Sequence, residues 1–354
     1  MTKPMVVMLF IQLHLTAMLS IFTVRILEVT TLAHWEAILL DCVLEMLLVW
    51  VYLKGLSRFP GKNMIEVISE AAGKWMARLI LLPFAVFLFF HLTLLNRFQI
   101  FKINVVLLQE TPLWALTLLY MALPLYAACK GFSVILRISA ALFIFYIPFV
   151  LFSLFISVHN FDFHNVFPIW DPKMTFLAQP TYYSSLISFS GFLFLGMLSL
   201  DKPFKPSKLM LVMIILAFFY LSAVYVPLLI FSEEVAITFQ YPDVLASDTI
   251  DLEWVVFDWL PTFSVVSSTG LGILEAATTL WTATTLIKKL FLPINEVWIA
   301  SGLTLAMFFL SMLVRNNHDL NQYLIWNSIP GIYSMLMLPL AVLLSGLKKR
   351  RASA

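Results

Sequence analysis

The sequence predicts an all-α polytopic membrane protein with ten transmembrane helices, and two observations carry this prediction. Of the 354 residues, 61% are hydrophobic and 12% are charged, which is about half the charged share of a soluble domain. The apolar runs also have the length of about 20 residues that a helix needs to cross a bilayer. The predicted spans, all in one transmembrane domain (1–354), cover residues 5–24, 33–52, 76–95, 113–128, 134–158, 182–200, 209–231, 261–287, 297–314 and 323–347.

Lys and Arg residues predict the orientation of the spans, because they collect in cytoplasmic loops. With the N-terminus inside, these residues fall in cytoplasmic segments, except for Arg25, Arg97, Lys102, Lys173 and Arg315. Both termini are therefore predicted to be cytoplasmic. The first apolar run has no small-residue cleavage site, so we interpret it as a true span rather than a signal peptide.

The cytoplasmic segment 58–75 predicts a short amphipathic helix. Asn63 and Glu66 have capping-box spacing, in which each side chain satisfies a backbone N–H of the first turn. Apolar residues follow at helical spacing, and Gly73 is a typical helix end. This pattern places the helix on the inner membrane face.

The outer segment 232–260 is acidic and contains no Lys or Arg. Such a run is typical of a solvated face. The alternative is an outer lid or a docking surface for a basic partner, with Trp254 and Trp259 at the lipid boundary. The acidic residues are Glu233, Glu234, Asp243, Asp248, Asp251, Glu253 and Asp258.

Several function classes do not fit the sequence. A net charge of only +2 argues against nucleic-acid binding. Cys42 and Cys129 provide neither a disulfide framework nor a pair of metal ligands. The sequence has no phosphate-binding glycine motif, no HExxH motif and no nucleophile elbow. We therefore expect neither an enzyme nor a cofactor.

Ionisable residues within a span usually face protein or a water-filled cavity, because charge in hydrocarbon is unfavourable. Asp41 and Glu45 lie four residues apart in span 2, so they share one helix face that is turned towards protein. They form either a polar contact between packed helices or part of a proton or ion relay. His14, His91 and Glu275 are the other ionisable candidates at this depth.

Span 8 carries a stripe of hydroxyl groups next to a carboxylate. Threonines in membrane helices often bond to backbone, so the stripe indicates either helix packing or a site for a small polar ligand. Trp281, beside the stripe, would close such a pocket or pack against lipid. The stripe comprises Glu275, Thr278, Thr279, Thr282 and Thr285, at three- and four-residue steps.

Span 6 places Ser188, Ser190, Gly191 and Gly196 near the middle of the membrane. An unwound turn there would expose backbone groups to a ligand, although glycines also permit close helix packing without one. Spans 1 and 6 run in opposite directions, which suggests a five-plus-five inverted repeat with the site between them. Span 1 contributes Gln12, His14, Thr16 and Ser20 at similar depth.

Short motifs in a fixed order resemble the spore germination permease family. These permeases are the B subunits of nutrient-germinant receptors, within the amino acid–polyamine–organocation transporters. One departure is that span 1 contains no glycine. The motifs are Arg58 to Glu66 with Gly73 and Lys74, Gln109 to Pro112, Lys130 and Gly131 with Arg137, Phe167 and Pro168, and Glu275 with Trp281.

This resemblance implies a LeuT-like fold, with a pocket for a small nutrient formed by spans 1, 3, 6 and 8. It also implies a larger membrane A subunit and a lipoprotein C subunit as partners, in the inner spore membrane. Nutrient binding would then start germination. Carried over residue by residue, the pocket comprises Thr16, Ser20, His91, Ser190, Gly191, Thr278, Trp281 and Thr282.

Three functional hypotheses remain open at this point. In the first, the chain is a receptor subunit whose ligand binds two conformations with different affinity. In the second, it is an ion-coupled amino-acid transporter in which Asp41, Glu45 or Glu275 carries the coupling ion or proton. In the third, it is a scaffold subunit without a ligand.

Overall fold

The computed structural model describes residues 2–171, 173–199, 201, 204–249 and 260–352, and the described residues fold into helices without a strand. One long segment, Tyr182–Met197, is a 3₁₀ helix. A short helix also lies at Glu233–Ala236, and 3₁₀ turns lie at Val158–Asn160, Phe163–Val166 and Thr175–Ala178. The α-helices discussed below are α1 (Lys3–Val29), α2 (His34–Leu56), α3 (Met64–Ala72), α4 (Lys74–Val106), α5 (Leu113–Lys130), α6 (Phe132–Ser157), α7 (Pro206–Phe231), α8 (Pro242–Asp248), α9 (Leu260–Leu290), α10 (Glu296–Leu313) and α11 (Asn317–Ala352).

Eight helices in the described residues are long and apolar enough to cross a membrane, namely α1, α4 to α7 and α9 to α11. Helix α2 has 23 residues but carries Glu36, Asp41, Glu45 and Lys54, and the 3₁₀ helix has only 16 residues. The predicted all-helical membrane architecture is therefore confirmed, whereas the count of ten spans stays a prediction.

The 3₁₀ helix lies within predicted span 6, the segment in which an unwound turn or close glycine packing was considered. A 3₁₀ helix rises roughly 2.0 Å per residue, so its 16 residues extend roughly 30 Å, about the thickness of the hydrocarbon core. An α-helix with the same number of residues, 16, would extend only roughly 24 Å. The segment is thus long enough to cross a bilayer, because the rise per residue of a 3₁₀ helix is larger than that of an α-helix.

Helix α1 is continuous but widens into a π-helical turn at Met18–Phe22. Such turns are rare and often occur at functional sites. Just before the turn, the Thr16 hydroxyl donates to the Gln12 carbonyl, and Ser20 within the turn donates to the Thr16 carbonyl. The glycine-free span 1 therefore departs from regular α-helix without unwinding.

Aromatic rings fix α1 against its two neighbours. Phe22 of α1, Phe189 of the 3₁₀ helix and Tyr220 of α7 pack with ring centroids 4.3–5.5 Å apart. The Tyr220 hydroxyl also donates to the Ser188 carbonyl at 3.1 Å. This bond supports the stretched 3₁₀ backbone, in which hydrogen-bond geometry is poorer than in an α-helix.

The predicted amphipathic helix is confirmed as α3. Asn63 and Glu66 form the capping box, and Gly73 ends the helix with φ of 85°. Lys289, at the end of α9, donates to the Glu66 carboxylate at 2.7 Å. Partial burial acts to raise the pKa of Glu66, but the bonds from Lys289 and the Asn63 backbone outweigh it and lower that pKa below its usual value.

Helix α4 extends beyond the predicted end of span 3 at Leu95 and continues to Val106. Arg97 and Lys102, which the sequence placed in the outer segment after span 3, lie within this helix instead, and both side chains are buried. The Arg97 guanidinium donates to the Val314 carbonyl at 2.7 and 3.0 Å. Burial of these cations is possible because each finds a partner on a distant segment.

The partners of Lys102 belong to two different elements. Its ammonium group donates to the Asp243 carboxylate of α8 at 2.6 Å and to the Leu19 carbonyl in the π-helical turn at 3.2 Å. Asp243 is thus an internal ion-pair partner rather than part of a free acidic face. Of the other acidic-segment residues, Asp251, Glu253, Trp254, Asp258 and Trp259 lie outside the described residues.

We expect Gly196→Ala to destabilise the protein strongly. A Cβ atom at Gly196 would lie 1.5 Å from the Tyr52 hydroxyl, and Tyr52 is itself fully buried. Overpacking of this kind costs about 1–3 kcal/mol or more. The control is Gly302→Ala in α10, where a Cβ would meet no atom of the described residues within 4 Å. Thermal unfolding in detergent should show a lower midpoint for Gly196→Ala alone, and equal midpoints would contradict the packing argument.

Candidate functional site

Three small cavities meet at Glu275 of α9. Cavity A, of about 30 Å³, is lined by Glu275, His91, Ser190, Gly191, Thr278 and Thr282, with apolar walls that include Phe84, Phe87 and Phe194. Cavity B, of about 10 Å³, is lined by Glu275, His91, Ser20, Arg25, Ser184 and Ser188. Cavity C, of about 10 Å³, is lined by Glu275, Asn96, Gln99, Tyr120 and Gly272.

His91 and Glu275 form a buried pair between α4 and α9. His91 Nε2 lies 3.3 Å from Glu275 Oε1, and both residues are less than 10% exposed. His91 Nδ1 has no hydrogen-bond partner among the described residues. The pair therefore offers an anionic or imidazole group to a small polar molecule in cavity A or B.

Five of the predicted ligand-binding residues line cavity A, namely His91, Ser190, Gly191, Thr278 and Thr282. The Thr278 hydroxyl donates to the Leu274 carbonyl of its own helix. The Thr282 hydroxyl is buried and has no partner in the described part of the chain. Of the two threonines, Thr282 is therefore the one with a hydroxyl free for a ligand.

The other predicted residues lie elsewhere. Ser20 lines cavity B. Thr16 and Trp281 line none of these cavities, and Trp281 stacks on Phe132 with ring centroids 4.4 Å apart. The structure thus places Trp281 in a packing contact.

Asp41 and Glu45 both face protein, as their spacing predicts. Asp41 accepts hydrogen bonds from the Tyr182 and Ser185 hydroxyls at 2.5 and 2.8 Å. Glu45 Oε1 lies 2.6 Å from His14 Nε2. These contacts tie α2 to the 3₁₀ helix and to α1, and the proposed relay role stays a prediction.

His14 is fully buried and contacts both α1 and α2. The sequence identified it as an ionisable residue at membrane depth but did not assign it to the ligand site. Its Nδ1 atom lies 2.7 Å from the Phe10 carbonyl, which can only accept, so Nδ1 carries a proton and Nε2 faces Glu45. A Cβ atom at Gly191 would lie 3.5 Å from His14 Cε1. Gly191, which lines cavity A, therefore packs directly against the His14 ring.

Asn96, Gln99 and Tyr120 are also functional candidates that sequence reasoning missed. All three line cavity C and are buried. The signal was present in the i, i+3 spacing of Asn96 and Gln99, which continues the helical face of span 3. It was overlooked because the span was ended at Leu95.

A larger cavity of about 340 Å³ lies between α4, α10 and α11. Its lining is mostly apolar and includes Phe90, Leu310 and Trp326, with Asn327 among its few polar residues. Its size is that of a ligand pocket, but none of the described residues that line it is charged. We therefore place the candidate site at the His91–Glu275 pair rather than in the larger cavity.

The fold has a known counterpart among solved structures. It is similar to that of MhsT, crystallised in complex with L-phenylalanine, with a TM-score of 0.61. The similarity covers 95% of this chain and 97% of the MhsT chain at 12% sequence identity. The predicted LeuT-like fold is thereby confirmed.

Sequence relatives point to a family. The chain is 20% identical to spore germination protein YndE of Bacillus subtilis (strain 168) over 325 residues, which is 90% of this chain and 87% of YndE. The profile of the permease family described as spore germination protein matches residues 1–320. Together with the apolar helices, this match identifies an integral membrane protein of the transport or receptor type. The chain belongs to the spore germination permease family.

Proposed function

We propose that this chain is the membrane subunit of a nutrient-germinant receptor and that it binds a small nutrient, such as an amino acid, in cavity A. The proposal rests on one observation. The His91–Glu275 pair and the Thr282 hydroxyl, which has no partner among the described residues, line the same buried cavity. Ligand sites typically combine a few convergent polar groups with apolar walls. Glu275 would accept from an ammonium group, and the rings of Phe84 and Phe87 would hold an apolar side chain.

The small volume of cavity A suggests how binding becomes a signal. About 30 Å³ holds no more than a few water molecules, so this conformation is closed to an amino acid. A nutrient would bind a conformation in which α4, α9 and the 3₁₀ helix lie further apart. Because it binds that conformation preferentially, the nutrient shifts the population towards it.

The signal would pass to partner subunits. Family membership supports a larger membrane A subunit and a lipoprotein C subunit in the inner spore membrane as partners. The concentration of Lys and Arg in the predicted inner loops supports cytoplasmic N- and C-termini. Lys348 and the basic residues that follow it would hold the C-terminus at anionic lipid.

We expect Thr282→Val to raise the nutrient concentration needed for half-maximal germination. Loss of one hydrogen bond to the ligand costs about 0.5–1.5 kcal/mol, which corresponds to roughly a 2- to 10-fold shift. The matched control is Thr117→Val, because the Thr117 hydroxyl is equally buried but bonds to its own backbone at Leu113. Germination would be measured on spores carrying the chain with its cognate partners, at matched protein levels.

Equal responses of both variants to every active nutrient would contradict the assignment of cavity A. Effects on assembly alone would favour a scaffold subunit.

The second candidate function is ion-coupled amino-acid transport, which the two buried His–carboxylate pairs favour. Transport predicts nutrient uptake into proteoliposomes that is lost in Glu275→Gln, whereas a receptor subunit predicts binding without net uptake.

A further inference from the structure

The larger cavity between α4, α10 and α11, cavity D, is lined by a buried amide without partners. Asn327 of α11 is 5% exposed and lines this cavity of about 340 Å³. Neither Asn327 Oδ1 nor Nδ2 has a hydrogen-bond partner among the described residues. Buried polar groups are otherwise almost always paired. An amide with both ends unpaired at a cavity wall therefore indicates a ligand that both donates and accepts hydrogen bonds.

The polar groups beside Asn327 are acceptors. Pro330 also lines cavity D, and a proline has no N–H to donate to the carbonyl four residues earlier, which here is that of Trp326. The Thr93 hydroxyl donates its single proton to the Phe89 carbonyl at 2.9 Å, so towards the cavity it can only accept. A ligand that satisfies these groups must bring a proton donor.

The rest of the lining is mostly apolar, and none of the described residues that form it is charged. Phe90, Leu310 and Leu313 are typical of these walls. An ionised carboxylate or ammonium group would lose its hydration here without gaining a counter-charge. Cavity D therefore suits an uncharged molecule with an apolar body, in contrast to cavity A with its carboxylate.

The volume of cavity D limits the size of that body. An apolar cavity of about 150 Å³ in another protein binds benzene. At about 340 Å³, cavity D has roughly twice this volume and admits an apolar body of roughly ten carbon atoms. One short chain or a pair of rings fits, whereas the two acyl chains of a membrane lipid do not.

Exposed side chains at the edge of cavity D provide the route of entry. Phe90, Leu313 and Trp326 line it and are 43%, 66% and 63% exposed. They belong to helices that are apolar enough to cross a membrane, so these faces contact lipid wherever no partner subunit covers them. Tyr323 and Trp326 also line it, with ring centroids 5.6 Å apart, and such rings concentrate where a membrane meets water. A ligand would thus enter from the bilayer.

We propose that cavity D is a binding site for a lipid-soluble alcohol with a single short chain. Its hydroxyl donates to Asn327 Oδ1 and accepts from Asn327 Nδ2, while its chain lies against the apolar walls. No described residue that lines cavity D also lines cavity A, B or C. The site is therefore distinct from the proposed nutrient site and does not depend on it.

The test is photolabelling of the full-length protein in lipid nanodiscs with 1-octanol that carries a diazirine on its chain. Labelled peptides would be identified by mass spectrometry, and unlabelled 1-octanol and n-octane would compete with the label. We expect labelling within the segments that contain Phe90, Leu310 and Trp326. Since only the alcohol can bond to Asn327, 1-octanol should compete at a concentration roughly 2- to 10-fold lower than n-octane.

Asn327→Leu separates a hydrogen-bonded site from an apolar groove. Leucine has a similar volume and leaves no unpaired amide, so the variant should fold. We expect it to weaken competition by 1-octanol roughly 2- to 10-fold and to leave competition by n-octane unchanged. The control is Ser311→Ala in α10, because that hydroxyl is buried but already donates to the Phe308 carbonyl. Leu310→Trp, which fills the cavity, should reduce labelling.

Three results would overturn the proposal. Equal competition by 1-octanol and n-octane in the unmodified protein would mean that cavity D accommodates lipid chains only. The same conclusion would follow if Asn327→Leu kept the preference for the alcohol. Labelling confined to other segments would place the alcohol elsewhere or show that another molecule covers the cavity. No nutrient is used in these measurements, so their failure leaves the nutrient site unaffected.

Discussion

Glu45→Ala is expected to destabilise the protein far more than Glu70→Ala, although each removes an ion pair of the same length. His14 Nε2 lies 2.6 Å from Glu45 Oε1, and Lys62 Nζ lies 2.6 Å from Glu70 Oε2. The first pair is almost fully buried, whereas the side chains of the second are 41% and 54% exposed. The two pairs therefore differ mainly in their contact with water.

This difference in burial sets the expected size of each effect. Removing one partner of a buried pair leaves the other unsatisfied and costs about 3–5 kcal/mol. Exposed pairs contribute about 0–1 kcal/mol, because water replaces the lost partner. His14 cannot turn to another acceptor, since its Nδ1 atom is already bonded to the Phe10 carbonyl.

Thermal unfolding in detergent would measure both variants, with Glu45→Gln as an intermediate case. The Gln side chain keeps the shape of Glu45 and a hydrogen bond to His14 but carries no charge. We expect Glu45→Gln to lose less stability than Glu45→Ala. Similar midpoints for Glu45→Ala and Glu70→Ala would show that the His14–Glu45 pair does not hold α1 to α2.

Local patterns predicted the parts of the fold that depend on neighbouring residues. The capping box of α3 is such a case, because Asn63 and Glu66 satisfy each other across three residues. The shared face of Asp41 and Glu45 is another, because helical geometry fixes it. By contrast, the helix end was predicted too early, before Arg97 and Lys102, since their partners Val314, Asp243 and Leu19 are distant in sequence.

The candidate site shows the same limit at the level of single hydroxyl groups. Thr278 and Thr282 lie one turn apart on the same stripe, and the sequence gives no reason to distinguish them. Only the three-dimensional structure shows that Thr278 bonds to its own helix whereas Thr282 has no partner among the described residues. Cavity C was missed because it needs α4, α5 and α9 together.

Lys102→Met is expected to open the protein near α8. The buried Lys102 ammonium is shared by Asp243 of α8 and the Leu19 carbonyl in the π-helical turn of α1. Methionine keeps the unbranched shape of the side chain but leaves Asp243 without its cation. The loss of one partner from a largely buried pair costs several kcal/mol, so the open fraction should rise roughly tenfold or more.

Opening can be measured as the reactivity of a cysteine at Ser188, which lines cavity B and is 7% exposed. The native Cys42 and Cys129 would first be replaced, and labelling by a maleimide would be followed in detergent.

Lys102→Met should accelerate labelling, and Asp243→Asn should do the same because it breaks the same pair. The matched control is Lys288→Met, which breaks an exposed ion pair of 2.8 Å with Glu296. If Lys102→Met and Lys288→Met label at equal rates, the Lys102 bridge does not control access to Ser188. If only Lys102→Met and Asp243→Asn label faster, access to Ser188 depends on the buried ammonium group that links α8 to the π-helical turn.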